Sequence, residues 1–246
     1  MNNNYGGRMK KYTKLILVIG IFITIVLGII YCVVYNKNIN EVNNDKMTHS
    51  KIIKYVLDYN IRDFSDEEKD EIKRKVNKTI NKCKDKKILS ECYYILGFLN
   101  SLEKNNKEAI RLYNKAIDNI NSIKNIKIKT QVYYELSRMY LYENEYEKSS
   151  ESFEKLKEIA FKYNKKEEAV KYGVKRGYDI YCIPDGSNES VQILTEELEL
   201  AKEINYEEIE EVYFNLGRTY WSDDKFIESI DAKLEALNIV DFKNLK

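Results

Sequence analysis

An all-α solenoid of antiparallel helix pairs, preceded by one transmembrane helix, is the fold class the sequence predicts. Three observations predict it: a long uncharged apolar run near the N-terminus, a forty-residue self-similarity in the rest of the chain, and a scarcity of turn residues. The 246 residues include one Pro and nine Gly, too little turn material for a sandwich or barrel of many short strands. A charged fraction of 33% beside 43% hydrophobic residues and 21 Tyr describes a folded chain with well-solvated helix faces rather than a disordered one.

The first element is the apolar run. Leu15 to Tyr35 contains no charge, Asn, Gln or Pro over 21 residues, and at 1.5 Å per residue such a helix matches a hydrocarbon core of roughly 30 Å. It is too long for the core of a cleavable signal, and no small-residue cleavage site follows. Arg8, Lys10, Lys11 and Lys14 precede it, against Lys37 and Lys46 after it, so the positive-inside bias places the N-terminus in the cytoplasm and the larger part outside. Gly20, Thr24 and Gly28 share one helix face at four-residue spacing, a pattern that allows a homodimer through close helix pairing. The net charge of +1 is therefore a cancellation between a basic stub and a mildly acidic body. That body has no cationic field for a phosphate backbone, so nucleic acid is excluded as a partner. Residues 36–46 lack apolar periodicity and form a polar tether.

The second element is the repeat. Tyr93-x-x-Leu96-Gly97, Tyr133-x-x-Leu136-Ser137 and Tyr213-x-x-Leu216-Gly217 share one pattern, with Gly177 in the matching place between them. The anchors 97, 137, 177 and 217 recur every 40 residues, and a fixed period of this size marks stacked supersecondary units. Twelve or thirteen residues after each anchor stand Ala109, Ser149, Ser190 and Ser229. Small residues at both places let two helices approach closely. This pattern resembles the tetratricopeptide repeat (TPR), with its W-x2-L-G-x2-Y followed by A-x3-F. The third unit departs most, having Gly173 and Arg176 where an aromatic and Leu are expected, and no unit has the closing Pro. The resemblance implies a right-handed superhelical stack over 88–246. Residues 47–87 are expected to be a divergent N-terminal helical pair.

Local signals fix the helix ends. Ser65-Asp66-Glu67-Glu68 is a capping box. Asn144 with Glu147 repeats that chemistry, Asn106 and Asp223 or Asp224 are expected as N-caps, and Pro184-Asp185-Gly186 is the one strong turn. No polar capping helix follows Ile239, so the far face of the last hairpin is expected to meet another copy or a partner.

No constellation of catalytic, metal-binding or cofactor-binding residues stands out. His49 has no second ligand at useful spacing, the acidic clusters lie among Lys on helix faces, and no phosphate loop or nucleophile elbow is present. Cys83 and Cys92 could pair in an oxidising compartment or remain buried thiols. By the TPR resemblance, first helices line a concave groove, and its side chains are Tyr94 and Phe98; Tyr134, Arg138 and Tyr142; Lys171, Tyr178 and Tyr181; and Phe214, Arg218 and Trp221. The competing role for several of these aromatics is core packing. The expected function is a membrane-anchored, non-catalytic scaffold for a protein or peptide. The alternative is a membrane-tethered peptide-sensing component that signals through a partner.

Overall fold

The computed structural model describes residues 49–244 apart from residue 59. The stub 1–14, the transmembrane helix expected over 15–35, its Gly20, Thr24 and Gly28 face, and the tether 36–46 lie outside the described residues. Among the described residues no helix is long and apolar enough to cross a membrane.

The described chain is all helical. In order come α1 (His49–Leu57), α2 (Asp66–Lys82), α3 (Lys86–Leu102), α4 (Asn106–Ile117), α5 (Ile126–Tyr142), α6 (Tyr146–Lys162), α7 (Lys166–Tyr181), α8 (Ser187–Glu203), α9 (Ile209–Ser222) and α10 (Phe226–Asn244), with short 3-10 turns at Asn60–Asp63 and Ile120–Ser122. Helices α3/α4, α5/α6, α7/α8 and α9/α10 form four successive hairpins, and each second helix also packs on the first helix of the next unit. Helix α2 packs on α3, whereas α1 lies against the first helices α3 and α5. Both helices expected within 47–87 therefore exist, but α1 is seated on the stack instead of pairing with α2.

The repeat anchors work as their size suggests. A Cβ on Gly97 would stand 2.7 Å from the Tyr113 ring, and one on Gly177 2.7 Å from Leu194, so only a bare backbone admits the second helix at this depth. Ser190 and Ser229 donate hydrogen bonds to the carbonyls of Gly177 (2.8 Å) and Gly217 (2.6 Å), tying each second helix to its own anchor. Gly173 also has a reason. A Cβ there would stand 2.1 Å from the Glu197 carboxyl carbon, so a buried carboxylate is packed against the bare backbone where the other units have Tyr. Glu197 is fully buried and ion-paired with Lys157. The third unit's first helix, the least patterned in sequence, is as regular as the rest.

The turns correct the cap assignments. Ser65 does close the predicted box: its hydroxyl accepts from Glu68 N at 3.3 Å, and its own N–H donates to Glu68 Oε2 at 2.7 Å. Asn144 and Asp224, however, end helices. They adopt left-handed φ of 59° and 58°, as do Lys104, Asn164, Asp185 and Asn205. At Asn144 the following N–H of Glu145 returns to Tyr140 O (2.8 Å), and at Asp224 that of Lys225 returns to Tyr220 O (2.9 Å). These are Schellman closures, where Asn and Asp tolerate the left-handed conformation better than most residues. Asn106 is the first residue of α4, and Asp223 closes α9. The side chains that do cap first helices are Asp85, accepting from Lys87 N (2.8 Å), and Asn125, accepting from Lys127 N (2.9 Å).

Buried apolar side chains form two clusters, one running from Ile52 to Tyr140 and the other from Val170 to Ala232. Between them α6 meets α7 across a mixed seam, where Ser149, Ser150, Ser152 and Asp179 are buried alongside Phe153, Leu156 and Ala169. Asp179 takes the place that Met139 and Leu99 hold one and two units earlier. Burial lifts its carboxyl from 3.8 to about 7, against the opposing pull of the Ser149 hydroxyl and Lys175. Cys83 and Cys92 are free thiols. Burial, with Cys83 and Glu91 nearby, pushes the Cys92 thiol up to about 12.

Candidate functional site: the face of the first helices

Helices α3, α5, α7 and α9 present equivalent positions three residues before and one residue after each anchor. In α3 these are Tyr94 and Phe98, in α5 Tyr134 and Arg138, in α7 Val174 and Tyr178, and in α9 Phe214 and Arg218. Their surroundings divide the face in two.

At the N-terminal end Tyr94 and Phe98 are both completely buried. Their rings lie 6.4 Å apart, and Tyr94 also meets Tyr113 at 6.1 Å. Neither is an open groove residue, which corrects the expectation for this unit. They belong to the core that α1 completes with Ile52, Ile53, Val56 and Leu57.

The middle of the face is half open. Tyr134 is half-buried and Tyr142 is exposed. Arg138 bonds Glu135 Oε2 at 2.9 Å, reaches the Tyr142 hydroxyl at 3.4 Å, and stacks 6.0 Å from that ring. Because Glu135 is buried beneath it, Arg138 is already neutralised from within.

The C-terminal half is the open part. Arg218 stacks on two rings at once, 5.2 Å from the Tyr178 centroid and 5.4 Å from that of Phe214. It makes no ion pair among the described residues. The two Arg positions are equivalent, but Glu135 has no counterpart in the last unit, where Asn215 stands and donates to the Glu211 carbonyl at 2.8 Å. Tyr178 is 37% and Phe214 49% exposed. Tyr181 lies 6.2 Å from Tyr178 and accepts from the Ser222 hydroxyl at 3.1 Å. Cys182 hydrogen-bonds Tyr178, and burial raises its thiol pKa. Trp221, 54% exposed, meets Phe226 edge-on at 5.0 Å with Lys233 Nζ 5.0 Å from its ring. Lys171 is exposed, 3.9 Å from Glu208, and stands apart from this cluster.

Two contributors escaped the sequence reading. Phe226 and Lys233 come from the second helix α10, outside the positions to which the resemblance points. Beside Phe214 an apolar depression of about 450 Å³ opens between α9 and α10, lined by Ala236, Leu237 and Val240. On the same helix Ile227, Ile230 and Leu234 are exposed. Among the described residues no group of three or more His, Cys, Asp or Glu could hold a metal ion.

A hairpin whose small anchors and left-handed closures recur every forty residues is the decisive geometry. Residues 130–163 match the tetratricopeptide repeat model. The matched stretch takes in most of α5 and all of α6, one complete hairpin but for its first residues. No curated protein matches the chain. Among solved structures, the nearly identical TPR-like repeats from Podosopora anserina superpose with a TM-score of 0.61 at 13% identity, covering 80% of this chain and 95% of that one. BtubC from P. vanneervenii gives 0.61 at 13% identity over 80% and 82% of the two chains. The apo form of RapI gives 0.61 at 14% identity over 80% and 72%. At such identities the likeness is one of fold: an all-helical, TPR-like solenoid of helix pairs.

Proposed function

We propose that the protein is a membrane-tethered, non-catalytic scaffold. Its open first-helix face would take a protein or peptide segment that carries a carboxylate beside apolar side chains. The observation that carries this reading is Arg218, held between Tyr178 and Phe214 with no anion opposite it among the described residues. A guanidinium so oriented offers paired N–H donors to a carboxylate, and the flanking rings with Trp221 cover apolar neighbours. The TPR-like stack supports the binding role, since such solenoids expose long continuous surfaces. The face is built of aromatic rings and a cation, without a paired acid and base, which favours recognition over catalysis. Tethering rests on the apolar run Leu15–Tyr35, and the external placement of the repeats on the basic residues before it.

The test is photo-crosslinking in native membranes from Tyr142, which is 60% exposed on this face, replaced by a photoreactive aromatic. An adduct should form and should disappear when Arg218→Glu is added. An adduct of equal yield in both chains would remove the face from consideration. Protease added to intact cells should digest the repeats, and full protection would reverse the orientation. A second reading, a sensing component acting through a partner, is favoured by one observation: α1, which follows the apolar run and tether, is seated on the first-helix face.

A further inference from the structure

We infer that helix α1 is a ligand bound in cis, and that the first-helix face accepts short amphipathic helices of the kind α1 displays. The inference rests on reading that face as the binding surface, and it names the class of partner.

Position comes first. A member of the solenoid would pair with its neighbour in a hairpin, as α3 does with α4. Helix α1 instead packs against α3 and α5, the first helices of two successive units. It therefore crosses the face on which a ligand would lie. Its apolar side chains Ile52, Ile53, Val56 and Leu57 are 2%, 8%, 0% and 9% exposed, while Lys54 and Asp58 point outward. That spacing is one apolar helix stripe facing down. The rim is polar: Asp58 pairs with Lys127 Nζ at 3.2 Å, and Arg62 lies 5.9 Å over the Phe98 ring. An apolar centre with a polar margin is the anatomy of a bound segment.

Equivalent positions supply the control. Phe98, in one core with the apolar residues of α1 and with Arg62 over its ring, is fully buried, whereas Tyr178, at the same register two units on, is 37% exposed. Both halves place an aromatic at this register, and among the described residues only the first half has a further helix packed across it. Length adds the last argument. At nine residues α1 is shorter than the roughly 12–15 that an isolated helix needs in water, so its helicity depends on the seat. Such a segment can leave by local opening without unfolding the hairpins.

The experiment uses the full chain with Ile53→Asp and Val56→Asp together, and a fluorescein-labelled synthetic peptide of residues 49–64. Anisotropy should show the peptide binding this opened chain at least tenfold more tightly than the unchanged one. A peptide carrying the same two Asp substitutions should not bind. Equal binding to both chains, or none to an opened chain that still melts cooperatively, would overturn the inference. Should the double variant fail to fold, hydrogen exchange on the unchanged chain decides. Amides of 50–57 should open at least tenfold faster than those of α5, and exchange of both in one global event would overturn it. Adding Arg218→Glu to the opened chain should leave peptide binding unchanged. Failure here with Arg218-dependent crosslinking intact removes only the cis-ligand, and the converse result removes only the partner site at Arg218.

Discussion

The two halves of the first-helix face are made from the same repeat and behave as different materials. In the N-terminal half the repeat's aromatics, Tyr94 and Phe98, have no solvent exposure and share a core with α1. In the C-terminal half their register partners Phe214 and Tyr178 stay partly in water, with Arg218 stacked between them. The difference teaches that a repeat position carries no fixed role. What covers it decides whether an aromatic ring contributes to stability or to recognition.

The largest expected effect tests the covered half. Phe98→Ala removes a fully buried ring from a close-packed core, and such truncations cost about 4 kcal/mol. Urea melts should show that loss, with the apolar N-terminal cluster failing first by hydrogen exchange. A loss below about 1 kcal/mol would mean that α1 and α3 do not form a common core.

Next comes the split between the equivalent arginines. Arg138→Leu removes the cation over the buried Glu135 carboxylate, which keeps the Gln131 amide as a donor at 3.0 Å, and should cost about 2–3 kcal/mol, since the buried charge loses its counter-ion. Arg218→Leu has no such carboxylate beneath it and should change stability by less than about 0.5 kcal/mol. Equal melts for the two variants would erase the distinction drawn between them.

The seam between the halves gives a pH-dependent prediction. An unfolded chain releases the Asp179 proton near 3.8 and the folded chain near 7. Between those values the unfolded state holds fewer protons, so stability falls as pH rises from about 4 to about 7. Asp179→Asn keeps the shape without the charge. It should match the unchanged chain near pH 4 and exceed it by about 4 kcal/mol at pH 7.5. Denaturant melts at the two pH values read this directly, and a gain independent of pH would show that the carboxyl is not held protonated.

Much of this architecture was legible because its physics is periodic. Gly97, Ser137, Gly177 and Gly217 mark close helix approaches, and a repeated steric need leaves a repeated small residue. Other features have no period to betray them. Helix α1 carries no anchor, so nothing in its residues said that it lies across α3 and α5. Asn144 and Asp224 were misread because short polar side chains suit both a helix start and a left-handed stop, and only backbone geometry separates the two. Lys104 adopts the same conformation with a side chain that gives no hint of it. The inequality of Arg138 and Arg218 was readable in principle, since Glu135 and Asn215 lie three residues before them. The aromatics drew attention to the face, but the carboxylate beneath one arginine decides which cation is available.

A small expected effect on stability can still be the most informative about function. Phe214→Ala truncates a ring that is already half in water, so the apolar area lost from the interior is small and the cost should stay below about 1 kcal/mol. The same change removes one of the two rings that hold the Arg218 guanidinium flat. A freed guanidinium must be ordered at the moment of binding, which lowers affinity through conformational entropy even where the charge is unchanged. Adduct yield from the Tyr142 photocrosslink should therefore fall at least fivefold while the melt hardly moves. If Phe214→Ala instead destabilises the chain as much as Phe98→Ala, the C-terminal aromatics are core and the two halves of the face are one material after all.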